Sequence, residues 1–229
     1  MSAIKLKAQK VKDVSNLQKI AEAWRECAIN RGWTFDTGEM GVTQFVEILA
    51  GLGRTSTSDM VLNDANVYIS PGDKYASKLR HEVLTRLGED GTITWTDVFH
   101  ITSNFMNSSW VNAQRISYCL IANLPINVPL STTPFAFTLG LREDGKWDER
   151  AGLYGSKGGY VVYCNGHVTW FDGSKPARFL KWNQSGYTSD IREAIPQTAW
   201  ITCGNDGTDT YCLSDGQLIL LYHAGTGED

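Results

Sequence analysis

The sharpest chemical signal in this sequence is Asp36-Thr37-Gly38, preceded by Trp33-Thr34-Phe35. A carboxylate on such a turn activates water when a second carboxylate shares one proton with it, so that one acts as base while the other donates. The second carboxylate would come from Asp172-Gly173 or Asp215-Gly216. The plainer reading of Asp36 is a loop residue just after a helix, with Gly38 turning the chain.

Other reactive residues point to structure before chemistry. The five cysteines (Cys27, Cys119, Cys164, Cys203, Cys212) are odd in number and contain no CxxC pair, so neither a zinc ribbon nor a thioredoxin-type site is indicated. Cys203 and Cys212 flank the segment GNDGTDTY and are the disulfide candidate, a bridge that would stabilise a C-terminal loop in an oxidising compartment. The alternative is two buried thiols on adjacent strands. Within that loop Asn205, Asp206 and Asp209 offer hard oxygen ligands around Gly207, a weak calcium pattern that lacks the acidic twelfth position of an EF-hand. Ordinary turn chemistry accounts for the same residues. His81, His100, His167 and His223 are scattered, and there is neither a GxSxG elbow nor a Gly-rich phosphate loop. His167 reads as a structural histidine. No catalytic residue and no resident cofactor is expected.

The elements that position these residues divide the chain in three. Residues 1–32 hold one long amphipathic helix, from about Leu6 to Asn30, free of Gly and Pro. Val14, Leu17, Ala21 and Trp24 form its core face, with Ala28 continuing it and Ile20 and Cys27 alongside. Lys10, Lys12, Asp13, Gln18, Glu22 and Arg25 fall on the opposite, solvated face. Gly32 stands where a C-cap is expected. Lys5, Lys7, Lys10 and Lys12 make the start of the helix basic, either as a plain solvated face or as a surface for anionic headgroups or neighbouring subunits.

Residues 33–133 form a variable insert. It contains the apolar segment Phe45–Leu49, a short strand at Asn66–Ser70, a second helix over Lys74–Leu87 and a strand over Ser117–Ala122. Residues 134–229 switch to short apolar runs separated by Gly, Asp and Asn: Phe135–Leu141, Tyr160–Cys164, His167–Phe171, Trp200–Cys203 and Leu218–His223. This is the pattern of an antiparallel sheet, and Asn165-Gly166 predicts a two-residue type I′ hairpin. The fold class is α+β, an N-terminal helix packed on a C-terminal antiparallel sheet in one globular domain. The abundance of aromatics, with 8 Trp, 9 Tyr and 8 Phe, fits that class. A net charge of −4 without long runs of either sign gives no electrostatic reason to bind nucleic acid. No stretch approaches the roughly 18 to 20 apolar residues of a membrane span.

Two stretches resemble the type IV pilin-like pseudopilins that carry a prepilin-type processing-associated C-terminal domain, as in planctomycete and verrucomicrobial bacteria. The first is Lys5–Asn30, similar to the solvent-side half of the pilin helix, with Ser15-Asn16-Leu17 and Ile20 after a lysine-rich beginning. The second is Pro134–Gly173, which carries Gly158, Gly159, Asn165, Gly166 and His167 of the family motif. Asn165 stands where the family has Asp, and Gly155 where it has His. Together the stretches cover about a third of the chain. The resemblance implies an extracytoplasmic head of a type II secretion or type IV pilus-like system. It also implies an apolar half-helix upstream that anchors the protein in the bacterial inner membrane and packs against other pilin-like subunits. Calcium near residues 205–209 belongs to what the resemblance implies for some members. A second resemblance competes: Phe35-Asp36-Thr37-Gly38 is similar to the signature of aspartic peptidases, although Glu39 replaces the family's Ser and no second Asp-Thr/Ser-Gly occurs.

Overall fold

The computed structural model describes residues 3–32, 45, 49, 61–62, 65–73, 116–149 and 152–203. Helix α1 spans Ala3–Arg25 and continues as one widened π turn over Glu26–Asn30. The Arg31 amide donates to the Glu26 carbonyl at 3.1 Å, five residues back, and Gly32 then turns the chain with φ +64°. That left-handed residue is the C-cap expected at this position. The Glu26 carboxylate also accepts from Arg31 Nε at 2.8 Å and from Asn30 Nδ2 at 2.7 Å, which fixes the widened turn from outside.

Five strands make the main sheet: β1 (Tyr118–Ala122), β2 (Pro134–Thr138), β3 (Gly158–Tyr163), β4 (Val168–Asp172) and, from further along the chain, β7 (Trp200–Cys203). Their order is β4-β3-β2-β1-β7, antiparallel throughout, with a bulge in β2 between Pro134 and Ala136. A second, two-stranded hairpin joins β5 (Phe179–Leu180) to β6 (Tyr187–Thr188). Strand β1 comes from the expected variable insert, so that insert contributes an interior strand of the sheet. The strands expected at Ser117–Ala122 and in the four runs between 135 and 203 are present within a residue or two at most ends. The helix expected at Lys74–Leu87 and the strand expected at Leu218–His223 lie outside the described residues.

Alternation along each strand separates two faces. Helix α1 packs against β2, β3 and β4 on one face, where Trp24 stacks on Phe135 with ring centroids 5.0 Å apart. On the other, Phe171 lies 6.2 Å from Trp147 and 5.3 Å from Phe179, placing the 139–147 loop and the small hairpin beneath the sheet. Gly159 makes this approach feasible, because a Cβ there would meet Trp147 Nε1 at 2.1 Å. Leu17, Ile20, Ala21, Trp24, Phe135, Phe137 and Val161 are buried in the common core.

Three sequence expectations change. Asn66–Ser70 is not a strand; residues Ala65–Tyr68 form a 3-10 turn, and the Tyr68 carbonyl accepts from Ser117 N at 2.9 Å. The Asn165-Gly166 hairpin is not a two-residue type I′ turn. Only Gly166 has positive φ (+86°), its amide donates to the Tyr163 carbonyl at 2.8 Å, and Tyr163 N donates to the His167 carbonyl at 2.9 Å. That is a three-residue loop, a type I turn followed by a left-handed glycine. The extra residue is held because Cys164 N and Asn165 N donate to the Thr133 and Leu130 carbonyls, tying the loop to the chain before β2. The third change concerns α1, whose Asp13 faces inward.

Candidate functional site: a sealed carboxylate and an open helix face

Asp13 was expected on the solvated face of α1, yet it is 0% exposed. At 100° per residue it falls between Gln9 and Leu17, which are also buried, so the inward arc of the helix is wider than its apolar residues suggest. Its carboxylate accepts from Tyr118 Oη of β1 at 2.7 Å, from Tyr154 Oη before β3 and from Ser70 Oγ at 2.9 Å. Asn16 Nδ2, one turn along, donates to the same Tyr118 oxygen at 3.1 Å. Ser117 Oγ accepts from Ser70 N at 2.9 Å and donates to Asp73 Oδ2 at 2.8 Å. One carboxylate thus joins the helix, the sheet and the 65–73 segment.

Burial pushes the Asp13 carboxyl above its ordinary range; the three hydroxyl donors pull it down and the nearby Asp73 charge adds to the rise. Burial also lifts the Tyr118 and Tyr154 hydroxyls, so both remain protonated donors. A carboxylate with no exposed surface cannot meet a solute. Its chemistry is to hold three elements in register, because a hydrogen bond to a charged group is worth about 1.5–3 kcal/mol and an unmet buried polar group costs as much.

Beside this cluster Tyr154, Tyr160 and Trp170 pack edge to face, with centroid separations of 5.9, 5.2 and 4.8 Å. Lys10 Nζ sits 3.5 Å from the Trp170 centroid. Lys10 is therefore not a plain solvated lysine; it clamps the start of α1 to the edge strand β4 through the ring's negative face.

The outer side of α1 is different. Ile4 is 83% and Val11 65% exposed, and with Ala8 and Ser15 they fall within an arc of about 60° at 100° per residue, opposite the sheet. Lys7 and Lys12 border this shallow, open strip. Further along the same line come Gln18 and Glu22, both exposed, so the apolar strip belongs to the first half of the helix only. The amphipathic pattern read from Val14, Leu17, Ala21 and Trp24 missed it. Val14 itself is half-buried, whereas Leu17, Ala21 and Trp24 are core residues.

Comparison with protein-family models, with curated proteins and with solved structures finds no match in any of the three. The reading of the chain therefore rests on its own geometry. Asp36, Asp215, Cys212, Asn205, Asp206 and Asp209 lie outside the described residues. Asp172 ends β4 on the surface, and its carboxylate accepts from Ser174 N at 2.8 Å, a turn contact that lowers its ionisation range. Gly158 opens β3 with φ +123°, Gly159 pairs with Phe171, and Asn165 Oδ1 accepts from His167 N at 2.9 Å. These motif residues build the β3–β4 hairpin and do not converge on a pocket.

The described cysteine side chains are of two kinds. Cys119 is disulfide-bonded, whereas Cys27 and Cys164 are thiols. Cys212 and the side chain of Cys203, the expected pair, lie outside the described residues. Cys203 stands directly across from Cys119 in the β1–β7 ladder. Among the described residues no group of three or more His, Cys, Asp or Glu is placed to hold a metal, and no helix is long and apolar enough to cross a membrane.

Proposed function

We propose that this chain is the head of a pilin-like subunit, an assembly protein of a type II secretion or type IV pilus-like system held at the bacterial inner membrane. The observation that carries the reading is the layout of α1. Its second half is gripped by an antiparallel sheet through Leu17, Ile20, Ala21 and Trp24, while Ala3, Ile4, Lys5, Lys7 and Ala8 stand exposed at the other end. A helix gripped by the sheet along its C-terminal half, with its first residues on the surface, has the form that would continue into a lipid-buried or filament-buried rod.

The disulfide at Cys119 supports an oxidising, extracytoplasmic compartment. The sealed Asp13 cluster and the turn role of Asp172 support an architectural rather than a hydrolytic part. The test is fractionation of the epitope-tagged product of the native gene, washed at about 1 M salt, combined with cysteine cross-linking through Glu22→Cys, an exposed position outside the apolar strip. The reading expects sedimentation with membranes and cross-links to other subunits. Recovery of the tagged product as a soluble monomer would refute it.

A further inference from the structure

Residues 3–12 contain Lys5, Lys7, Lys10 and Lys12 and no acidic residue, and no acid occupies the first turn of α1. The protein as a whole carries −4, which makes this end a local reversal of sign. Lysine stems lie along apolar surface while their charges reach outward, and Lys7 and Lys12 flank the Ile4, Ala8 and Val11 strip in that way.

We infer that this outer face of α1 lies flat on an anionic lipid bilayer surface, with Ile4, Ala8 and Val11 entering the headgroup boundary and Lys7 and Lys12 meeting phosphates. An apolar strip with basic borders on a solvent-facing helix is the form that binds such an interface. The lysines also decide against the strip pairing with itself in a second copy, since two such faces would bring like charges together. Lys10 is held over Trp170 on the flank, which fixes the rotation of the helix and keeps the strip turned away from the sheet. The inference goes beyond the pilin-like reading and does not need it, because it concerns the protein surface and not an upstream anchor.

Co-sedimentation of the 229-residue chain with phosphatidylglycerol-containing vesicles tests it, against vesicles of phosphatidylcholine alone. Binding should require the anionic lipid and weaken as ionic strength rises from about 0.1 M to about 1 M, where the Debye length falls from about 10 to about 3 Å. The pair Lys7→Ala with Lys12→Ala should lower partitioning about thirtyfold, at about a factor of five per lysine. Ile4→Asp with Val11→Asp should abolish partitioning at unchanged circular dichroism and melting temperature, and Arg178→Glu, exposed beside the small hairpin on the other face of the sheet, should leave it intact. Equal sedimentation with both vesicle types, no sedimentation at all, or a dimer in light scattering that Ile4→Asp with Val11→Asp dissolves would each overturn the inference. Sedimentation of the native gene product that survives a wash at about 1 M salt belongs to the pilin-like reading, and sedimentation lost in that wash belongs to this one, so the two proposals fail separately.

Discussion

Replacing Asp13 by Asn keeps the volume of the side chain and removes its charge, which isolates what burying that charge costs. Three hydroxyls, of Tyr118, Tyr154 and Ser70, donate to the carboxylate. An amide oxygen has two lone pairs, so one hydroxyl loses its acceptor, at about 1–3 kcal/mol. Against this stands the elevated ionisation range of Asp13, caused first by burial. A carboxyl whose folded pKa lies above its unfolded value of 3.8 contributes stability that is fully present below that value and is lost as pH rises through the folded one. Each unit of elevation removes about 1.4 kcal/mol from the wild type at higher pH. The expected result is that Asp13→Asn is less stable by about 1–3 kcal/mol near pH 4 and that the gap narrows, or reverses, towards pH 8. Urea denaturation of both proteins across that range, without reductant, measures the gap directly; all other titrating groups are common to the pair and cancel. A gap that widens with pH would refute the reasoning, since it would mean that the hydroxyl donors outweigh desolvation and hold the carboxyl below its ordinary range.

Trp24→Ala removes the ring stacked on Phe135 from a site 1% exposed and should cost about 3–5 kcal/mol by chemical denaturation. Gly159→Ala drives a methyl into Trp147 Nε1 and Thr138 Oγ1, and a loss of about 1–3 kcal/mol with a changed tryptophan emission is expected. Alkylation of the denatured, unreduced protein should label Cys27 and Cys164, with Cys119 protected until reductant is added. Peptide mass analysis identifies each labelled position.

The parts of this fold that repeat along the chain were legible from sequence. The helix, its glycine cap and most strands of the sheet follow from local periodicity and turn residues. What was not legible depends on partners far away. Asp13 reads as a surface carboxylate because its acceptor role is defined by Tyr118 and Tyr154, 105 and 141 residues distant. Lys10 belongs with Trp170 for the same kind of reason. The 3-10 turn at Ala65–Tyr68 looked like a strand because Val67, Tyr68 and the following Ile69 form a short apolar run, which is buried here without lying in a sheet. Asn165-Gly166 carries the residues of the tighter turn, and the two backbone contacts to Leu130 and Thr133 select the longer one. The open strip of Ile4, Ala8 and Val11 was present in the letters but was masked by attention to the opposite, sheet-facing arc.

Strand order also sets a timetable for synthesis. Strands β2, β3 and β4 are neighbours both in the sheet and along the chain, so they can zip together as they leave the ribosome, with β1 already waiting beside β2. The other margin of β1 finds its mate only when Trp200–Cys203 has emerged, and until then its unpaired amides and carbonyls are open to any passing strand. The nascent protein is accordingly most vulnerable to mispairing in the interval between residues 172 and 203, and a pause in translation there would lengthen that exposure.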